Sequence, residues 1–168
     1  MSGPPNITVI GMGNVLLSDE GVGVRVVERL METRRFPPHV RIVDGGTTAM
    51  KGLLPLVEEA DHLIVVDALN GHGPAGSIYR YTGADFRKNV PKKISAHEIG
   101  FLECLAIAEV NDRSPASVVV IGVKPKDMTT ASMSLSPEIE ALLDPIGDMV
   151  CGELAALGAG PIPPPEGE

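Results

Sequence analysis

Four side chains in this chain of 168 residues have the types to do chemistry together: Glu20, Asp44, Asp67 and His97. Each acid follows a short β-branched run. Ile7–Ile10 leads into GMGNVLLSDEG with Asp19 and Glu20, Val40–Val43 runs straight into Asp44-Gly45-Gly46, and Leu63–Val66 ends at Asp67. Ligand sites of open parallel sheets form outside the carboxyl ends of the strands. Glu20 or Asp19, Asp44 and Asp67 can therefore converge on one edge. Three carboxylates in one crevice repel each other unless a cation or a shared proton lies between them. His97, in KKISAHEIGF, offers a nitrogen ligand. Ser95 reads as an N-cap that puts the imidazole in the first turn of a helix, whose positive end favours the neutral ring that metals require. One imidazole with two carboxylates suits nickel, zinc or manganese. A plainer account also fits: the acids cap loops and His97 ends a helix. Spacing alone leaves both open.

Other chemistries fail on particular residues. Gly11-Met12-Gly13 after the first run invites a dinucleotide-binding reading, but Leu16 occupies the third glycine position and Asp19 and Glu20 would face the phosphates. There is no Walker lysine and no GxSxG elbow. His97-Glu98 opens like a zincin motif, yet Phe101 stands where the second histidine belongs. Cys104 lies among apolar neighbours and reads as core; with Cys151 it forms no CxxC pair, which fits a reduced compartment. His39, His62 and His72 read as edge or surface residues.

The elements that must position these groups follow from periodicity. Short β-branched runs alternate with segments of helical period, which implies a parallel sheet flanked by helices. Candidate strands are Ile7–Ile10, Val40–Val43, Leu63–Val66, Ser77–Tyr81 and Val118–Val123, the last closed by Lys124-Pro125. Val22, Val26, Val27, Leu30 and Met31 mark an amphipathic helix, and Met50–Ala60 and Ile99–Val110 mark two more. Ser136-Pro137-Glu138 starts a last helix that Pro145 should kink or split. The glycine-rich GHGPAG has hairpin potential, so Ser77–Tyr81 can enter antiparallel at an edge. The expected fold is α/β, a three-layer α/β/α sandwich on a mostly parallel sheet of roughly five strands. One domain should span 1–157, with 158–168 a Pro/Gly-rich tail outside the core.

The composition narrows the function. Lys and Arg number 14 against 22 Asp and Glu, a formal net charge of −8, with five aromatic residues and no Trp. A polyanion would be repelled and stacking platforms are lacking, so no nucleic-acid partner is expected. No apolar run approaches the ~20 residues that cross a bilayer, and the N-terminus lacks the basic start of a signal peptide. A cytoplasmic protein without membrane insertion is the expectation.

Read together and in order, GMGNVLLSDEGVGVRVVERL, VDGGT, LIVVDAL, SAHEIG and VIGVKP resemble the [NiFe]-hydrogenase maturation endopeptidases from Ile7 to about Leu157. The first of these, GxGNxLxxDEGxG, is the most specific. The resemblance implies an α/β/α protease that removes a C-terminal extension from the hydrogenase large-subunit precursor once nickel is inserted. It also implies metal contacts from Glu20, Asp67 and His97, and a catalytic group drawn from Asp44, Glu20 and Asp67, Asp44 being the acid of the DGGT motif. Nickel would arrive on the substrate, and another divalent ion can also occupy the site. Whether the peptidase is aspartic-type or metal-assisted stays open. A non-catalytic nickel-binding chaperone or checkpoint module is the alternative. Ala49 departs from the glycine that many relatives carry two residues after the DGGT threonine.

Overall fold

The β-branched runs become strands β1 (Ile7–Met12), β2 (Val40–Gly46), β3 (His62–Ala68), β4 (Ile78–Thr82) and β5 (Ser117–Val123) of one sheet in a computed structural model. It describes residues 3–48, 50–89 and 96–165, apart from the side chains of Met50, Ala96 and His97. The order is β2-β1-β3-β5-β4. β1 pairs in parallel with β2 and β3, β3 in parallel with β5, and β4 runs antiparallel to β5 at the edge. Helices cover both faces, so β1 and β3 are apolar for nearly their whole length, as two-sided strands must be.

On one face Ile7, Val9, Ile64 and Val66 pack with Val26 and Leu30 of α1 (Val22–Thr33) and with Ile146, Val150 and Leu154 of the C-terminal helix. On the other, Ile10, Leu63, Val65 and Val120 meet Leu53 and Val57 of α2 (Met50–Glu58) and Phe101 and Leu105 of α4 (Ala96–Val110). The molecule is the expected α/β/α sandwich. A short helix α3 (Gly83–Lys88) intervenes, started by the Thr82 N-cap, whose hydroxyl accepts from the Asp85 N–H at 3.2 Å and donates to the Asp85 carboxylate at 2.7 Å.

Three details differ from the sequence reading. The segment around Gly71–Gly76 does not close a hairpin, because β5 lies between β3 and β4. It carries the chain across the end of β5 instead, with Leu69 N–H donating to the Val123 carbonyl at 2.9 Å and Gly76 N–H to that of Lys124 at 2.8 Å. The last helical region does split, into α5 (Pro137–Glu140) and α6 (Leu143–Ala156). Pro145 is housed in the first turn of α6, where its missing N–H costs nothing, and the break falls before it. The third difference is at the C-terminus. Gly158 adopts φ +74°, Ala159 N–H donates to Leu154 at 2.8 Å and Gly158 N–H to Ala155 at 2.9 Å, a Schellman cap. Ala159 is thereby buried in the core rather than outside it, and Ile162 N–H donates to the Arg35 carbonyl at 2.9 Å.

Among the described residues, no helix is long and apolar enough to cross a membrane.

Candidate functional site

From β1 the chain crosses to β2 on one side of it and then returns through α2 to β3 on the other side, so the sheet's switch point, where ligand crevices open, lies beyond the carboxyl ends of β1 and β3. The motif that follows β1 is built to fold tightly over this point. Asn14 opens it with an Asx turn, its Oδ1 accepting from Leu16 N–H at 3.0 Å. Gly13 has φ +129°, and a Cβ there would stand 1.8 Å from the Glu20 carbonyl oxygen. A Cβ on Gly23 would stand 2.1 Å from the carbonyl oxygen of Val66 and 2.4 Å from that of Met12. These glycines let the 3₁₀ turn Ser18–Gly21 and the start of α1 lie directly against β1 and β3.

The two adjacent acids of this turn have different fates. Asp19 is fully buried and accepts four hydrogen bonds, from Lys126 N–H at 3.0 Å, Asp127 N–H at 2.9 Å, Ser136 N–H at 2.7 Å and the Ser136 hydroxyl at 2.8 Å. Its lone pairs are committed to three backbone N–H groups and one hydroxyl, which takes Asp19 out of ligand chemistry, while Glu20 is half-buried in the turn packed on β3. The Ser136 hydroxyl serves Asp19 instead of capping α5, although Ser136 is the N-cap residue as its sequence suggests.

Asp67 is 3% exposed at the penultimate position of β3. Strand alternation puts it on the face of Leu63 and Val65, where α2 and α4 pack. His97 belongs to the first turn of α4, the helix covering this same face. Its imidazole lies outside the described residues, as do Ser95 and Ala49. Asp44 is exposed at the end of β2, in register with Gly11 and, across β1, with Val66. That is one row short of Asp67, so the pleat sends Asp44 and Asp67 to opposite faces of the shared end. Gly46, at φ +46°, turns the chain beyond Asp44, and Thr48 N–H closes the turn on the Gly45 carbonyl at 2.9 Å. Among the described residues no three His, Cys, Asp or Glu side chains gather into a metal-holding group. A cavity of about 560 Å³ lies near the amino ends of β3 and β5, lined by Leu63, Arg80, Thr82 and Val118 among others, and none of Glu20, Asp44 and Asp67 lines it.

The hydrogenase maturation protease family, described under the name HycI, matches residues 24–153. This chain belongs to that protease family. It is 34% identical over 158 residues to the hydrogenase 2 maturation protease of Escherichia coli K12, covering 94% of this chain and 95% of that one. It is 38% identical over 142 residues to the hydrogenase expression/formation protein HupD of Rhodobacter capsulatus, covering 84% of this chain and 67% of that one. The solved structure of the hydrogenase maturating endopeptidase HybD from E. coli superposes with a TM-score of 0.87 at 33% identity, over 94% of this chain and 96% of that one.

For a member of this protease family, a cysteine nucleophile is the first rival to dismiss. Cys104 is buried in α4, and desolvation pushes its thiol up to about 11, so it stays protonated and inert at neutral pH. The sequence reading missed the structural commitment of Asp19. It also missed Glu98, only 5% exposed in the first turn of α4, where a helix start favours an acid. Glu98 carried a faint signal, an acid beside His97; Asp19 carried none, since its partners lie more than a hundred residues away.

Proposed function

We propose that the protein is the endopeptidase that removes the C-terminal extension of a [NiFe]-hydrogenase large-subunit precursor after nickel insertion, with the nickel on the precursor as its recognition element. Glu20, Asp67 and His97 would contact that substrate-borne ion. The observation that carries this reading is the meeting of the Glu20 turn with the end of β3, where Asp67 is held on the face that α4 covers. Membership of the protease family supports cutting over mere holding of the metal.

An ion met by one imidazole and two carboxylates keeps open positions, unlike a closed structural zinc site with four protein ligands. Thiolates of the precursor can fill them, so the protease meets ion and peptide together. Bringing a bound, charged peptide to a fixed place converts an encounter into an aligned complex. Asp44 has a different part: exposed and on the opposite face from Asp67, it suits a general base that takes a proton from the attacking water better than a fourth ligand of the same ion. In this reading the net charge of −8 favours a cationic centre, not a polyanion. The protein would work in the cytoplasm, where the precursor is assembled.

The test is to incubate the protein with nickel-loaded and metal-free precursor and weigh the products. Loss of the C-terminal peptide from the loaded form alone is expected. Equal cleavage of both would remove nickel as the recognition element, and binding of the loaded form without cleavage would favour the checkpoint alternative.

A further inference from the structure

Asp19 is a fully buried carboxylate that the proposed chemistry does not use. A charge taken out of water is tolerated only where hydrogen bonds replace the solvent, and here the four donors have a telling arrangement. Lys126 and Asp127 stand at one foot of the loop 127–135 and Ser136 at the other, so a single carboxylate closes that loop into a ring. The ring is stitched to the turn bearing Glu20 by the backbone as well. Asp19 N–H donates to the Asp127 carbonyl at 3.0 Å, Ser18 N–H to that of Ser132 at 2.8 Å, and Ser132 N–H to that of Leu16 at 3.0 Å. Ser18 is held at φ +51°, in the left-handed region, while its hydroxyl donates to the Ser134 carbonyl at 3.0 Å. Non-glycine residues persist there only where their surroundings over-determine them. On the outer side of this double layer Leu16 and Met133 are 59% and 64% exposed, facing solvent beside the Glu20 turn.

We propose that Asp19 is a positioning residue: by locking the loop 127–135 onto the turn that carries Glu20, it sets where Glu20 and the exposed face of that loop meet the substrate. The identity of that substrate rests on the function proposed above; the mechanical coupling does not.

Asp19→Asn keeps the shape but turns one acceptor oxygen into an NH₂ that faces backbone donors. In the full chain, we expect amide hydrogen exchange to quicken at least tenfold in residues 16–21 and 127–136 together, with β1, β3 and β5 still protected. On nickel-loaded precursor, KM should rise at least tenfold while kcat changes less than threefold, the signature of lost binding contacts. Ser136→Ala removes only the hydroxyl bond and should give an intermediate shift in both readouts; it carries the test if Asp19→Asn does not fold. Val150→Ala, on the buried face of α6, should lower stability without moving KM. Exchange that stays unchanged, or quickens everywhere, would overturn the proposal, as would local loosening with an unaltered KM. If the native protein cuts no precursor, the function falls while the exchange data still judge the coupling.

Discussion

A single methyl group at Gly23 sets two effects of opposite sign against each other. Gly23 is the second residue of α1, and by helix propensity alone Gly→Ala stabilises by about 1 kcal/mol. The contacts argue the other way. The new Cβ would stand 2.1 Å from the Val66 carbonyl oxygen and 2.4 Å from that of Met12, both backbone atoms of central strands that cannot swing aside. Restoring tolerable contact needs α1 to retreat by about 1 Å from a close-packed sheet, and overpacking of this kind costs typically about 1–3 kcal/mol. With two carbonyls to clear at once, a net loss of about 2 kcal/mol is expected for Gly23→Ala, lowering Tm by about 4–8 °C. Because the Glu20 turn feeds directly into α1, the same displacement misplaces Glu20, and about 100-fold in activity is a reasonable toll for 1 Å. Gly152, exposed in α6 with nothing near its missing Cβ, is the control: Gly152→Ala should gain about 0.5–1 kcal/mol. Thermal unfolding of both variants, with precursor cleavage alongside, decides the matter. If Gly23→Ala matches or exceeds the native Tm, the close packing of α1 on β1 and β3 is not what fixes the site.

His97→Ala should abolish precursor processing with an unfolding curve close to native, measured by mass spectrometry and circular dichroism; processing at the native rate would strike His97 from the site. Cys104→Ser should process normally, while its buried hydroxyl costs about 1–3 kcal/mol in urea unfolding; a folded but inactive variant would restore the cysteine as a catalyst. Asp127 links the loop to pH. Hydrogen bonds from Thr130, and then from Thr129, hold its carboxyl down at about 2. Its folded value is below its unfolded one, so its contribution is fully present above the unfolded range and is lost as pH falls through about 2. The stability difference between native protein and Asp127→Asn should therefore be flat above about pH 5 and shrink on further acidification, as acid unfolding curves would report.

The strands were legible because Val and Ile runs closed by Gly, Asp or Lys-Pro leave few other structures, and burial on both faces makes β1 and β3 apolar for most of their length. The antiparallel edge strand was legible in direction but not in partner: the turn-rich Gly71–Gly76 is compatible with a hairpin, and only the long crossover through α4 inserts β5 between β3 and β4. Helix α3 was announced by the Thr82 and Asp85 spacing, a signal overshadowed by the neighbouring strand. Ala159 escaped notice because a run of Pro and Gly suggests a loose tail, while the Schellman geometry that buries it needs only the single glycine at 158.

The site divides along the same line. Glu20, Asp44 and Asp67 could be named because each stands at or beyond the carboxyl end of a β-branched run, a purely local relation that topology turns into a shared sheet end. Asp19 and Glu20 could not be told apart, because neighbours in a 3₁₀ turn point in different directions and only partners near Lys126 and Ser136 decide which one turns inward. The glycines of the first motif join the two levels. Read as sequence, Gly11 and Gly13 suggest a phosphate loop; in the fold, Gly13 and Gly23 are the places where backbone must touch backbone for an acidic turn to reach the end of β3. Their chemistry is steric. A cradle for phosphate would leave backbone N–H groups pointing into open space, whereas here Gly13 N–H donates to the Gly46 carbonyl at 2.9 Å, and the Asp19 carboxylate of the turn that follows is spent on holding the loop 127–135.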